Sequence, residues 1–370
     1  MSKPEEVLVQ TLDSGGNPDV TLNVKNLKWS CDGHGDQSAS FTMLHPGTAS
    51  NGDLLAGLTQ IQITDPDYST WAWHGRVRAP GGKPWPGGQR FTVALEGMQA
   101  ATRDRIVLNE LIYPSGRNIG EIMKLVGEGY VPDVFCSAVQ SEATAQRVLR
   151  ERTEDFVFAS PYSIFETLAP LGDGTAPLIW EIYAGGSGTL PTLTTRARPV
   201  SPAYYAVMES TSNVYGDFIG GADLDVEGDV SIVRTRVNVK YRNENTGTGY
   251  KIYTEEGAGY LGGLIKDLGI DINRMQLTNI KAVLHAAGSM LAQLAAPQNT
   301  GRSIRLPYPC TVIAAATLTP VPLWAVKPNN VIQILDYESG TDGIGNEFYI
   351  DSTSWDEQAR LQALTTGPVR

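Results

Sequence analysis

The chain has 370 residues, 41% of them hydrophobic, which is enough for proper cores and sets a soft expectation of two to three domains. Only 19% is charged, while 39 Gly and 22 Pro signal many turns, a mix that excludes a coiled coil, a helical solenoid and a disordered scaffold. The net charge of −11 is spread along the whole chain and repels phosphate at long range, which argues against a dedicated nucleic-acid binder.

In the first hundred residues, Val20, Leu22 and Val24 alternate with polar neighbours, as do Ile61 and Ile63 ahead of the turn Asp65-Pro66-Asp67. The next strand sets Trp71, Trp73 and Val77 on one face and Thr70, His74, Arg76 and Arg78 on the other. Phe91, Val93 and Leu95 alternate again after a Gly/Pro loop, and short strands of this kind predict a small antiparallel barrel or sandwich. Residues 106–200 read as mixed. Ile119, Ile122, Met123 and Val126 have helical spacing, with Asn118 as N-cap. Ser160 before Pro161, with Ile164, Phe165 and Leu168 on one face, predicts a second helix, and Ile179–Tyr183 with 190–196 predicts a hairpin.

Strands return with Val233, Thr235, Val237, Val239 and Tyr241, which alternate with Arg234, Arg236, Asn238, Lys240 and Arg242. Between 246 and 304 the spacing of Ile280, Val283, Leu284, Ala287, Leu291 and Leu294 predicts a helical insert. Further strands are expected at 311–318, 323–326, 331–336 and 347–354, then a short helical piece around 355–363. The expected fold class is therefore β-rich α+β, with mixed or helical units at 106–200 and 246–304. Two β regions occupy 1–105 and 201–245 joined to 305–370.

Candidate chemistry is sparse. Cys31, Cys136 and Cys310 imply no disulfide framework and read as made in a reducing cytosol. Residues 1–6 contain no apolar signal region. The uncharged stretch 306–326 holds Pro307, Pro309, Pro320 and Pro322, which a membrane-spanning helix would not tolerate, so no bilayer insertion is expected. Gly257, Gly259 and Gly262 match a dinucleotide fingerprint as a string, but the βαβ context is missing and a tight turn is expected. Asp32, His34 and Asp36 beside Cys31 have the composition of a turn; they lack the ligand set of a tetrahedral metal site. His285 borders an apolar helix face without a catalytic partner nearby in sequence. Asp336, Asp342 and Asp351 flank a Gly-rich loop whose spacing does not match a calcium loop. No catalytic, metal or cofactor residue is assigned. The basic strand face of Arg234, Arg236, Lys240 and Arg242 reads either as a solvated outer face or as a contact for an acidic neighbouring subunit.

The order of parts resembles the hub proteins at the tip of phage tails and related injection machines, over nearly the whole chain. The resemblance rests on Leu58 to Asp65 followed by Trp73-His74-Gly75-Arg76-Val77, on Val239 to Gly249 with Tyr241 and Thr246-Gly247-Thr248-Gly249, and on Pro322 to Asn330 before Val331-Ile332. It implies two similar small antiparallel β-barrels per chain, the second split by the insert, and a homotrimer forming a pseudo-sixfold ring. The implied partners are a distal tail or tube protein, a tape-measure protein and a spike or fibre protein in the virion tail, with DNA passing through without being held and no cofactor or enzymatic activity. An acidic channel wall would let DNA slide. The rival readings are a receptor- or carbohydrate-binding module of a virion and a β-rich carbohydrate-active enzyme using carboxylates with Trp71 and Trp73 as platforms.

Overall fold

The computed structural model describes residues 7–45, 58–85, 88–108, 111–112, 119–131, 135–139, 152–153, 156–169, 178–184, 191–229, 234–242, 250–256, 265–276, 287–288, 291, 298–337 and 346–368. The first β unit contains β1 (Leu8–Leu12), β2 (Pro18–Leu22), β3 (Lys25–Asp32), β4 (Gly35–His45), β5 (Gln60–Thr64), β6 (Ala72–Trp85) and β7 (Gly88–Gly97). They pair antiparallel in the order β2-β1-β5-β6-β7-β4-β3. Period-2 alternation turns Val9, Ile61, Ile63, Trp73, Val93 and Leu95 inward. Among the described residues β2 and β3 do not pair with each other, so this is an open sheet where a closed barrel was expected.

The middle unit follows: β8 (Leu111–Ile112), α1 (Ile119–Tyr130), β9 (Phe135–Val139), β10 (Arg152–Thr153), α2 (Pro161–Leu168), β11 (Leu178–Ala184) and β12 (Pro191–Ala197). The second helix starts as its sequence dictates: Ser160 accepts from the Ser163 N–H and Pro161 occupies the first turn, where its missing N–H costs nothing. Ile164, Phe165 and Leu168 are fully buried with Ile122, Met123 and Trp180 in one apolar cluster.

The rest of the chain forms β13 (Pro202–Ala206), β14 (Thr211–Asn213), β15 (Gly216–Phe218), β16 (Asp223–Asp229), β17 (Arg236–Arg242), β18 (Tyr250–Glu256), β19 (Asp267–Gln276), β20 (Gln298–Pro307), β21 (Val312–Ala314), β22 (Thr319–Val321), β23 (Val331–Ile334), β24 (Glu347–Asp356) and β25 (Leu361–Pro368). The sheet runs β16-β20-β25-β24-β23-β13-β21-β22. Strand β24 pairs with β23 through its first half and with β3 through its second, from Ser352 opposite Asp32 to Asp356 opposite Lys28. The two β regions are thereby one hydrogen-bonded sheet system over one core, in which Trp29 meets Trp71 at 5.4 Å and Trp355 at 6.0 Å, while Trp324 meets Trp355 at 5.2 Å.

Three segments depart from the sequence expectation. Strand β17 is the centre of a separate sheet, antiparallel to β18 and parallel to β19, so the unit expected to be helical from 246 begins with strands and takes in residues before 245. Its inner side chains Val237, Val239 and Tyr241 join the middle unit's cluster together with Ala287 and Leu291. Helix is described there only at 287–288 and 291, while Ile280, Val283, Leu284, His285 and Leu294 lie outside the described residues. Residues 355–363 form no helix: Asp356 Oδ1 accepts from Gln358 and Ala359 N–H in a turn, and β25 then fills the gap between β24 and β20. Sheet pairing and the burial of Leu364 override the local helical composition. Residues 323–325 form a 3-10 turn and not a strand.

Candidate functional site

The polar chemistry concentrates where three parts of the chain meet. The β3–β4 turn, Asp32-Gly33-His34-Gly35, reaches the middle unit: the His34 carbonyl accepts from the Ile182 N–H at 2.9 Å, and β11 runs parallel to β4 at Gly35. Gly35 has φ +120, and a Cβ there would lie 2.0 Å from the Ile182 carbonyl oxygen, so only glycine allows this approach. Asp32 Oδ1 accepts from the His34 N–H, and its Oδ2 from Gln99 Nε2 at 3.0 Å. The turn lies at Gly33-His34, with Asp32 ending β3 and Asp36 already buried in β4. Among the described residues no group of three or more His, Cys, Asp or Glu could hold a metal.

Asn329 sits at the centre of this joint, buried and at φ 58, a conformation Asn tolerates better than most residues. Its Nδ2 donates to the Gly33 carbonyl at 2.5 Å and to Glu181 Oε2 at 2.9 Å, and its Oδ1 accepts from Tyr349 Oη at 2.9 Å. Arg196 pairs with Glu181 at 2.9 Å and donates to the Asn329 carbonyl at 3.0 Å. One amide thus ties the first β unit, the middle unit and the second β unit together. Beside it, His34 stacks on Trp180 at 4.2 Å, with Nε2 3.4 Å from the Glu166 carboxylate that also accepts from Trp180 Nε1.

Below the turn lies a second buried polar group. Asp36 accepts from the His74 N–H at 2.7 Å and from the Cys31 thiol at 3.4 Å. Burial pushes its carboxyl up to about 7, against the backbone hydrogen bond and the attraction of Lys327. The same burial lowers the His74 imidazole to about 4 and raises the Cys31 thiol well above its usual range, so this cysteine is a structural hydrophobe and no nucleophile. His74, on the face opposite Trp71, Trp73 and Val77, is fully enclosed as well.

A further long-range bond joins the segments that carried the sequence resemblance: Trp324 Nε1 donates to the buried Asp65 carboxylate at 3.2 Å. No family model and no curated protein matches the sequence. Solved structures do. A tail protein from Neisseria meningitidis superposes with a TM-score of 0.60 over 97% of this chain and 95% of its own, at 12% identity. A 43 kDa prophage tail protein from Shewanella oneidensis gives 0.56 over 98% of both chains at 14% identity, and a Listeria monocytogenes prophage tail protein 0.56 over 98% and 95% at 9% identity. The chain has the phage tail protein fold.

Within the tail-protein fold, the basic residues of β17 fall as follows. Arg236 is engaged by its neighbours: Nε lies 2.5 Å from Asp267 Oδ1, Nη2 2.8 Å from Oδ2, and Nη1 3.7 Å from Glu256. The guanidinium holds the Asp267 carboxyl below the usual range. Arg234 precedes the strand, Lys240 stands opposite Ile252 of β18, and Arg242 ends the strand opposite Tyr250. Sequence reading missed Asp267 and Glu256, because only the register of β18 and β19 brings them to Arg236. Trp71 and Trp73 are buried in the core, which removes them as sugar platforms. Asp336 accepts from the Met208 and Glu209 N–H groups, while Asp342 and Gly257 to Gly262 lie outside the described residues. No described helix is long and apolar enough to cross a membrane.

Proposed function

We propose that the chain is a structural hub of a phage-type tail tip, located in the virion. The observation that carries this reading is the likeness over 97–98% of the chain to tail proteins, with two β regions fused through β3 and β24. Three copies form a pseudo-sixfold ring that joins the tail tube to a spike or fibre protein, contacts the tape-measure protein, and surrounds the path of the DNA. The net charge of −11 supports a wall that lets DNA slide. The aromatic platforms being buried and the cysteine thiol inert favour a structural role over catalysis.

The basic run Arg234, Arg236, Lys240 and Arg242, just before and along β17, is one subunit contact in this reading; Arg236 then keeps Asp267 as its fixed support while the strand meets an acidic neighbour. Light scattering of the purified chain, with negative-stain images of the same sample, tests the hub. A threefold ring with a central opening supports it, and a stable monomer at high concentration refutes it. Reversal of charge at Arg234 and Lys240 that leaves the ring intact removes the β17 contact alone.

A further inference from the structure

The buried apolar side chains form two large clusters, and the division between them does not follow the chain. One gathers Val9 to Leu95, Ala206 with Ala222, and Ile304 to Leu364, which together make up the body of the two fused β regions. The other gathers Met98 to Leu193 and then, past residue 229, Val237, Val239, Tyr241, Ala287 and Leu291. Strand β17 thus lies between β16 and β20 in sequence, yet it shares its core with α2 and β11. Behind it β16 and β20 are paired, and Asp229 at the end of one stands opposite Gln298 at the start of the other. The insert therefore leaves and re-enters the β body at one place.

What joins the two bodies is polar. The His34 carbonyl accepts from the Ile182 N–H, the Asp32 carboxylate from Gln99 Nε2 and the Asp32 carbonyl from Tyr183 Oη, while Asn329 donates to Glu181. Rings and cations complete the joint: His34 stacks on Trp180, Lys327 Nζ lies 4.8 Å over the Tyr183 ring, and the Arg198 guanidinium lies 3.5 Å over the Tyr349 ring. Hydrogen-bonding groups of this kind find water when they part, so a polar contact between two apolar cores has the character of a separable domain interface. The link at 198–201 has no regular structure, and Val200 within it is 60% exposed. At Gly35 the two backbones are so close that a Cβ would stand 2.0 Å from the Ile182 carbonyl oxygen, which leaves no room for sliding. Such a joint is either docked or undocked.

We infer that the middle unit and the β17–β19 insert form one lobe, which docks on the β body in a single geometry and leaves it as one piece, with Asn329 as the catch. Asn329 holds both sides at once. Its amide and carbonyl engage Glu181 and Arg196 of the lobe, while the same amide engages Gly33 and Tyr349 of the β body. The inference rests on the two cores and the joint, and it stands whether or not the chain assembles into a ring.

Amide exchange of the full chain, followed peptide by peptide in rising sub-denaturing urea, reads which segments open together. Strands β17 and β19 are expected to lose protection at the same urea concentration as α2 and β11, and at a different one from β20, β24 and β25. Asn329→Leu is expected to speed exchange across β11 and the β3–β4 turn by roughly tenfold or more, with protection inside α2 and β24 retained. Its radius of gyration in X-ray scattering should rise while the far-UV circular dichroism stays that of the wild type. If β17 and β19 open with β16 and β20, the shared lobe is overturned. A single transition for every peptide overturns the separate lobe as well. Wild-type exchange across β11 in the variant overturns the catch, and faster exchange at an unchanged radius overturns departure as one piece. Should Asn329→Leu fail to fold, the wild-type order of opening still decides whether the lobe exists.

Discussion

Neutralising Asp36 or His74 is expected to expose two pH dependences that cancel in the intact protein. Each tenfold change in proton affinity on folding is worth about 1.4 kcal/mol. Asp36 moves from 3.8 to about 7, roughly three decades, hence about 4 kcal/mol. Its contribution is full below pH 3.8 and is lost as pH rises towards 7, because the unfolded carboxyl ionises while the buried one stays protonated. His74 moves from 6.5 down to about 4, hence about 3 kcal/mol in the opposite sense. Its contribution is full above pH 6.5 and is lost as pH falls through 4. Between roughly pH 4 and 6.5 the slopes oppose each other, and the pair should leave stability nearly flat. Asp36→Asn should then make stability climb with pH by up to about 3 kcal/mol across that window, and His74→Gln should make it fall by about the same amount. Exposed Asp13 and Asp267, and partly exposed Asp356, sit below the usual carboxylate range and titrate below the window. Urea unfolding followed by tryptophan fluorescence reads this directly, since Trp29 and Trp73 share the core with Cys31 and the β4 strand. Two variants whose slopes both match the wild type would refute the opposing-titration argument.

Replacing Asn329 by Leu removes the partners of the Gly33 carbonyl and the Tyr349 hydroxyl and leaves Glu181 Oε2 with Arg196 alone, and should cost about 3–5 kcal/mol in denaturant unfolding. Asn329→Gly keeps the backbone free of strain and separates that part, so it should cost less than Leu in the same measurement. Gly35→Ala is expected to undock the turn from Ile182, read as faster proteolysis between the units, because no rotamer moves a Cβ away from a carbonyl 2.0 Å distant. Gly129→Ala meets nothing within 4 Å inside α1 and should stabilise by about 0.5–1 kcal/mol in thermal unfolding.

Local signals were readable in the sequence where the physics is local. Ser160-Pro161 announced α2, and the alternation around Trp73 and Val93 announced β6 and β7. The joint was not readable, since Asn329 meets Gly33 and Glu181 across 296 and 148 residues. No spacing rule reports on such pairs. The segment Asp356–Arg360 has the composition of a helix start, yet its fate is decided by β3 and β20 on either side of β24 and β25. The two faces of β17 were readable, but no period within the strand says which other strands pair with it.

The pairing of β3 with β24 also governs how the chain emerges from the ribosome. Lys28 to Asp32 are made early, and their partners Ser352 to Asp356 come more than 300 residues later. At roughly 5–20 residues per second, the edge of β3 waits about 15–60 s for its neighbour. During that interval Trp29 lacks Trp355 and an unpaired strand edge faces solvent. Chains stalled before Glu347 should therefore aggregate or depend on a chaperone, while completed chains close the seam themselves. The same seam that unites the two β regions makes synthesis of the last strands the event that commits the molecule to its fold.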